Sequence, residues 1–290
     1  MFSAYLVSIL ILVGMAIIES LALQLAVGFT GLLNLGHAAF YCIGAYTAAL
    51  LALAGYPFWL CLLMAGVVPM IFGFLLALLT NKIKGDYFAL ATLGFTFVVY
   101  AVALNWTDLT NGPLGLPGIP KPNLFGLDFS DNISFLILIL VITLISYLII
   151  KRITISPFGK VLAATRDNEM ATKVLGKNTF KMKACALAIN AFFAGIAGSI
   201  LAYYITYIDP SSFTIMEMIP TLCVVIIGGL GSLEGTVIAA VILEILPEPL
   251  RFIGFSSSII GPARQMIYAL ILLVILIYKP RGFWGKVKLE

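Results

Sequence analysis

The sequence predicts an all-α polytopic membrane protein, with about seven full transmembrane helices plus two glycine-broken short or re-entrant segments. Three observations carry this. The chain is 62% hydrophobic and only 10% charged, where soluble domains carry about 25% charged residues, and its mean hydropathy is +1.11. Residues 20 to 81 hold no Asp, Glu, Lys or Arg, a run several times the roughly 20 residues that one helix needs to cross a bilayer. The apolar stretches also lack the alternation of barrel strands, and inside lipid only helices or closed barrels satisfy every backbone N–H and C=O.

Each element follows in order. Phe2 to Ile18 has neither a basic n-region nor an evident small-residue cleavage site, so it reads as a first span and not as a signal peptide. Residues 21 to 28 are apolar but too short to cross at about 1.5 Å per residue, and they end at Gly28, which makes them a candidate half-helix. Spans follow at 37 to 54, 58 to 80, 87 to 105 and 133 to 150. The interval 151 to 183 is polar and too short for a domain of its own, so the whole chain, 1 to 290, is one transmembrane domain. Within the interval Ser156-Pro157 opens a helix, with Pro at a first-turn position, and Gly176 stops it. Residues 160 to 175 then form a short cytoplasmic helix with Val161, Ala164, Ala171, Val174 and Leu175 on one side and Lys160, Arg166, Asp167, Glu169 and Lys173 on the other. Such a stripe docks in a partner's groove or lies on anionic lipid, and Asp167 and Glu169 weaken the second reading. A span at 184 to 206, a second half-helix at 218 to 228 and a last span at 263 to 279 complete the thread; 218 to 247 is either a re-entrant hairpin or a pair of short tilted spans.

Lys and Arg set the orientation, because cytoplasmic loops retain them. All but Lys121, Arg251 and Arg264 fall in the loop of Lys82 and Lys84, in 151 to 183, or in the tail after Lys279. The loops 106 to 131 and 207 to 217 carry Asp108, Asp128, Asp131, Asp209 and Glu217, and belong outside. Tyr56, Trp59, Trp106, Tyr203, Tyr204, Tyr207 and Trp284 sit near span ends, where amphipathic rings prefer the headgroup region. Arg251 and Arg264 fall on the outer side, and the scheme gives no account of them.

A weak internal repeat joins the two half-helices. Gly28, Gly31 and Gly36 stand at offsets similar to those of Gly228, Gly229, Gly231 and Gly235, and each set has an acidic residue upstream, Glu19 or Glu217. Glycine-interrupted segments in corresponding places point to a substrate path, since unwound backbone at depth must be buried in protein or line a cavity. With Asn34, His37 and Glu244 these glycines are the path candidates; the alternative is that the glycines let helices pack closely. Glu244 is the acidic residue placed deepest, and at about 2.5–3.5 kcal/mol for a charge at mid-bilayer it is expected to face a partner helix or a wet cavity. The lone His37 has no second His or Cys pair beside it, so it reads as a hydrogen-bonding group between helices and not as a metal ligand. Cys42, Cys61, Cys185 and Cys223 form no CxxC pair and read as core residues. No GxxxxGK[ST] loop is present, so any nucleotide work falls to a partner subunit.

Gly28-Phe-Thr-Gly-Leu-Leu-Asn-Leu-Gly-His-Ala-Ala-Phe-Tyr-Cys-Ile-Gly-Ala-Tyr46 resembles the signature of the branched-chain amino-acid ABC transporter permeases. Gly85-Asp-Tyr-Phe-Ala-Leu-Ala-Thr-Leu93, Thr110-Asn-Gly-Pro-Leu-Gly-Leu-Pro-Gly-Ile119, Arg166-Asp-Asn-Glu-Met-Ala-Thr-Lys-Val-Leu-Gly176 and Pro280-Arg-Gly282 point the same way, towards the LivM-type subunit. The resemblance implies a homologous permease partner, two cytoplasmic ATPases that bind the ATP, and an extracytoplasmic binding protein that delivers leucine, isoleucine or valine. It also implies a prokaryotic inner membrane, no enzymatic activity and no cofactor in this chain, and no nucleic-acid partner. Glu169-Met-Ala171 with Gly176 resembles the EAA-type coupling motif, although Met170 stands where alanine is usual. That likeness gives Arg166, Glu169, Ala171 and Gly176 the role of engaging an ATPase. A permease for urea, amides or simple sugars, an ion-coupled carrier and a passive channel share this architecture and stay open at this level.

Overall fold

A computed structural model describes residues 2–83, 85–124, 127–248, 257–279 and 282–285. Lys84, Arg251, Pro280, Arg281, Lys286 and Lys288, used above for orientation or resemblance, lie outside them.

The first helix corrects the sequence reading. Helix α1 runs Phe2–Gln24 and passes without interruption into a π-helical turn, Leu25–Phe29, so the expected first span and first half-helix are one element. Glu19-Ser20 suggests a boundary by hydropathy, but a single carboxylate does not break a helix whose backbone bonds are intact. The chain then unwinds over 31–34 and re-enters as α2, His37–Leu53. Helices α3 (Phe58–Leu79) and α4 (Asp86–Asn105) follow close to their predicted bounds. Outside, a single turn α5 (Thr107–Thr110) leads to β1 (Leu116–Pro117) and the pair β2 (Asn123–Leu124) and β3 (Leu127–Asp128). Helix α6 is Asn132–Ile155.

The cytoplasmic segment differs from the expected single helix. It is two, α7 (Pro157–Asp167) and α8 (Glu169–Val174), split at Asn168. Ser156 caps α7, as its sequence suggests, but Asn168 is extended and its side chain accepts a hydrogen bond from the Ala171 N–H at 2.9 Å. A cap of this kind competes with helix continuation. Helix α9 spans Thr179–Ile205, opened by Asn178. Strand β4 (Tyr207–Ile208) pairs antiparallel with β1, and α10 (Ile215–Gly228), α11 (Leu233–Ile245) and α12 (Ser257–Tyr278) complete the described chain.

Among the described residues six helical stretches are long and apolar enough to cross a membrane: Tyr5–Phe29, α3, α4, α6, α9 and Pro210–Gly228. The chain is a multi-pass membrane protein. Helices α2, α3 and α9 form its densest packing, and glycine makes that possible. A Cβ on Gly44 would lie 2.2 Å from the Gly195 backbone, and one on Gly195 would lie 2.0 Å from the Ala65 carbonyl oxygen. Small residues let membrane helices approach where lipid supplies no hydrophobic drive between them. Helix α1 lies against α6, α9, α10 and α11, and is the best buried span after α9. It runs antiparallel to α11, since Tyr5 bonds Glu248 while Gln24 bonds the Ser232 carbonyl. Gly28 lies beside the turn that opens α11 and against Arg166 of the 151–183 loop, which the Lys and Arg distribution puts in the cytoplasm, so the N-terminal end of α1 points to the outer side.

Candidate functional site

Two regions lie along α1, one at its C-terminal end and one at its middle. The first is a glycine junction. A Cβ on Gly28 would lie 2.8 Å from the Gly231 N, and Gly228 and Gly235 are in backbone contact with each other. The two predicted breaks thus touch. Gln24 ties them together, its Nε2 donating to the Gly229 carbonyl at 2.8 Å and the Ser232 carbonyl at 3.3 Å. The segment 282–285 closes over the second break: the Phe283 N–H donates to the Ile227 carbonyl at 2.9 Å and the Trp284 N–H to the Gly228 carbonyl at 3.3 Å. Gly229, at φ +100, sits with its Cα face on the Gly285 backbone, which only glycine tolerates.

Unwound backbone between α1 and α2 is satisfied by α4. The Leu35 N–H donates to the Thr92 hydroxyl at 3.0 Å, the Thr96 hydroxyl donates to the Leu35 carbonyl at 2.9 Å, and the Gly36 N–H donates to Asn34 Oδ1 at 3.0 Å. His37 opens α2, fully buried, its Nδ1 3.0 Å from Asn190 Oδ1 of α9. Its Nε2 has no hydrogen-bond partner and lies 4.0 Å from Glu19 Oε1.

Glu19 marks the second region. It stands about 14 Å up the helix from Gly28 at 1.5 Å per residue, and its side chain is 16% exposed. It lines a cavity of about 150 Å³ with Tyr41, Leu201, Phe213, Glu217 and Met218, below the outer loop. Glu244 of α11 is partly buried and within electrostatic reach of Glu19. Neither Glu19 nor Glu217 was singled out as a path residue from sequence. The available signal was the acidic residue upstream of each glycine break.

The cytoplasmic helices connect directly to this junction. Arg166, at the end of α7, donates from Nη1 to the Gly28 carbonyl at 2.5 Å, and its Cγ fills the space where a Cβ on Gly31 would stand. Its side chain is 14% exposed and is steadied by Asp167 at 2.9 Å. Glu169 turns inward: its carboxylate pairs with Lys183 at 2.7 Å and Lys173 at 2.9 Å and accepts the Thr179 hydroxyl at 3.1 Å. Partial burial opposes its charge, but Lys183, Lys173 and Thr179 outweigh it and hold the carboxyl at about 2, below the usual 4.5. Ala171 is exposed on α8, and Gly176, at φ +76, ends it in the left-handed conformation common at helix C-termini. Beside Ala171 stand Met170, Val174 and Leu175, 67%, 85% and 77% exposed. The likeness to a coupling motif thus falls on residues of two kinds: Arg166 and Glu169 hold the loop to the spans, and α8 offers the apolar face. No group of three or more His, Cys, Asp or Glu that could hold a metal occurs among the described residues.

The chain matches, over residues 5–278, the family described as branched-chain amino acid transport system, permease component. It is 37% identical to a protein of Salmonella typhimurium named high-affinity branched-chain amino acid transport system permease protein LivM, over 92% of this chain and 67% of that protein. A protein of Escherichia coli named as the LivH permease of such a system is 26% identical, over 91% of this chain and 89% of its own length. A ribose import permease of Haemophilus influenzae is 30% identical over only 35% of this chain. No solved structure matches. With the matched segment running from Tyr5 to Tyr278, through both glycine breaks and the loop between α6 and α9, the chain belongs to the family of branched-chain amino acid transport permease components.

Proposed function

We propose that the chain is the membrane-spanning permease subunit of an ATP-driven importer of branched-chain amino acids in a prokaryotic inner membrane. It would form the translocation path with a homologous permease, take its energy from two cytoplasmic ATPases that bind the ATP, and receive substrate from an extracytoplasmic binding protein. The observation that carries this reading is the 2.5 Å contact from Arg166 to the Gly28 carbonyl. A residue of the cytoplasmic helix pair closes the break in one of the two best buried membrane helices, so a force applied to α7 and α8 reaches the path without an intervening element.

The exposed apolar face of α8 suits the groove of a partner. In the state seen, the glycine junction is shut on the cytoplasmic side, and the Glu19 cavity lies on the outer side. Displacement of α7 by ATPase closure would withdraw Arg166, release the Gly28 carbonyl and free α1 to part from the α10–α11 turn. The ATPases and the binding protein each need only favour one of two states that differ by a few kcal/mol. Branched-chain amino acids are favoured over sugars because the similarity to the LivM protein covers 92% of the chain and the similarity to the ribose permease 35%.

Purification of the tagged chain from its native membrane tests the reading. Two ATPases should accompany it, and leucine-loaded binding protein should stimulate their hydrolysis. Val174→Glu should release the ATPases while leaving the chain in the membrane. A lone chain that carries leucine in liposomes without ATP would overturn the proposal.

A further inference from the structure

We infer that the outer cavity is a transient site for the α-ammonium group of the passing amino acid, with Glu19 and Glu217 as its anionic contacts and Leu201, Phe213 and Met218 as the wall for an aliphatic side chain. This deepens the importer reading and rests on it. The cavity has about 150 Å³ of space and two carboxylates, one from the middle of α1 and one from the first turn of α10. The described residues lining it include no Lys or Arg to neutralise them. Asp209 nearby is occupied by the Ser211 and Ser212 hydroxyls.

His37, which stands behind Glu19 and next to the cavity-lining Ala38, points to the same ligand. His37 Nδ1 lies 3.0 Å from Asn190 Oδ1, an acceptor that calls for the Nδ1–H tautomer, and Nε2, which then carries the lone pair, lies 4.0 Å from Glu19 Oε1. Two acceptors face each other there, and the fully buried Nε2 has no partner. Buried acceptors in this arrangement call for a donor. The Thr221 hydroxyl meets Glu19 from α10, which fixes the carboxylate without neutralising it. A substrate ammonium supplies three donors and the positive charge at once, and the substrate's own carboxylate stays towards the open side, away from Glu19. The chemistry selects a free amine over a sugar or an amide, because neither of those brings a cation to a carboxylate pair.

The test uses the assembled transporter with Thr214→Cys, a cavity-lining position at the start of α10, and Cys185→Ser to remove the exposed native thiol. A cationic methanethiosulfonate should label Thr214→Cys at least about 10-fold faster than an anionic reagent of equal size, since a cleft lined by one sign of charge concentrates counter-ions. Glu19→Gln with Glu217→Gln should bring that ratio close to one, and leucine-loaded binding protein with ATP should slow the cationic reagent. In parallel, Glu217→Gln, at an exposed position that does not threaten folding, should lower leucine uptake per ATP hydrolysed about 10-fold, and Glu217→Asp should retain at least half. Equal labelling by both reagents, or uptake per ATP unchanged in Glu217→Gln, overturns the ammonium site and leaves the importer intact. Charge-selective labelling without any ATP-dependent uptake overturns the importer reading instead.

Discussion

Replacing Arg166 by Ala separates the cytoplasmic helices from the membrane break with the smallest possible change. The side chain makes one charge-assisted bond to a backbone carbonyl, at 2.5 Å, and is 14% exposed. Hydrogen bonds involving a charged group contribute about 1.5–3 kcal/mol. The Asp167 pair adds little, since that carboxylate is mostly in solvent. If the bond exists only while the junction is shut, its loss shifts the shut–open balance by about 10- to 150-fold. The assay is ATP hydrolysis by the full transporter in lipid, with and without leucine-loaded binding protein. Arg166→Ala should abolish most of the stimulation, because this contact is the side-chain hydrogen bond that joins the break in α1 to α7. Arg166→Lys should fall between, since one ammonium can reach the carbonyl but lacks the planar fork that also holds Asp167. Wild-type stimulation in Arg166→Ala, with the chain present at normal amounts, would refute the argument.

Three further outcomes follow from named contacts. Gly195→Leu should prevent stable insertion, because even its Cβ would stand 2.0 Å from the Ala65 carbonyl oxygen, whereas Gly94→Ala, with nothing within 4 Å, should be neutral; protein recovered from membranes checks both. Asn190→Leu should destabilise the chain by about 1–3 kcal/mol by stranding a buried His37 nitrogen, and His37→Leu in the same chain should recover part of this, read as the detergent melting temperature. The Glu169 carboxyl is held at about 2 against an ordinary 4.5, so its ion pairs support the 169–183 segment fully above pH 4.5 and lose that support as the pH falls towards 2. Because the paired groups are partly exposed, the effect is about 1 kcal/mol. Hydrogen exchange over 169–175, corrected for intrinsic rates, should show the loss in the wild type and none in Glu169→Gln.

What the sequence made legible was governed by the bilayer, and what it hid was governed by hydrogen bonds. The spans at α3, α4 and α6 are framed by aromatic and charged residues, so hydropathy finds them within a few positions. Helix α9 begins at Thr179, five residues before the predicted 184, because Lys181 and Lys183 end the apolar run while Asn178 starts the helix. Hydropathy marks where lipid begins and does not mark where a helix begins. The same confusion cut α1 at Glu19, and the extended Asn168 was missed because its cap depends on local backbone bonding that a hydrophobic stripe does not record. Both glycine breaks were visible as a repeat. That they touch, and that Arg166 and the segment 282–285 cover them, depends on contacts across more than a hundred residues.

Those coverings satisfy the broken backbone in the state seen. A carbonyl freed inside the membrane and left without a donor is costly, and here two are met from the cytoplasmic side, Gly28 by Arg166 and Gly228 by the Trp284 N–H, while Gln24 of α1 meets Gly229. Two of the three donors belong to the 151–183 loop and the 282–285 segment, which on the proposed function face the ATPases. Drawing them away leaves the carbonyls unpaired until water enters, so loosening of the junction and hydration of the path become one event. A junction sealed by apolar side chains would respond to the same displacement by collapsing around the gap. Sealing it with polar donors that can be withdrawn from one side makes opening depend on the cytoplasmic helices, and it explains why the break is built from glycine, whose carbonyls remain accessible to donors from another segment.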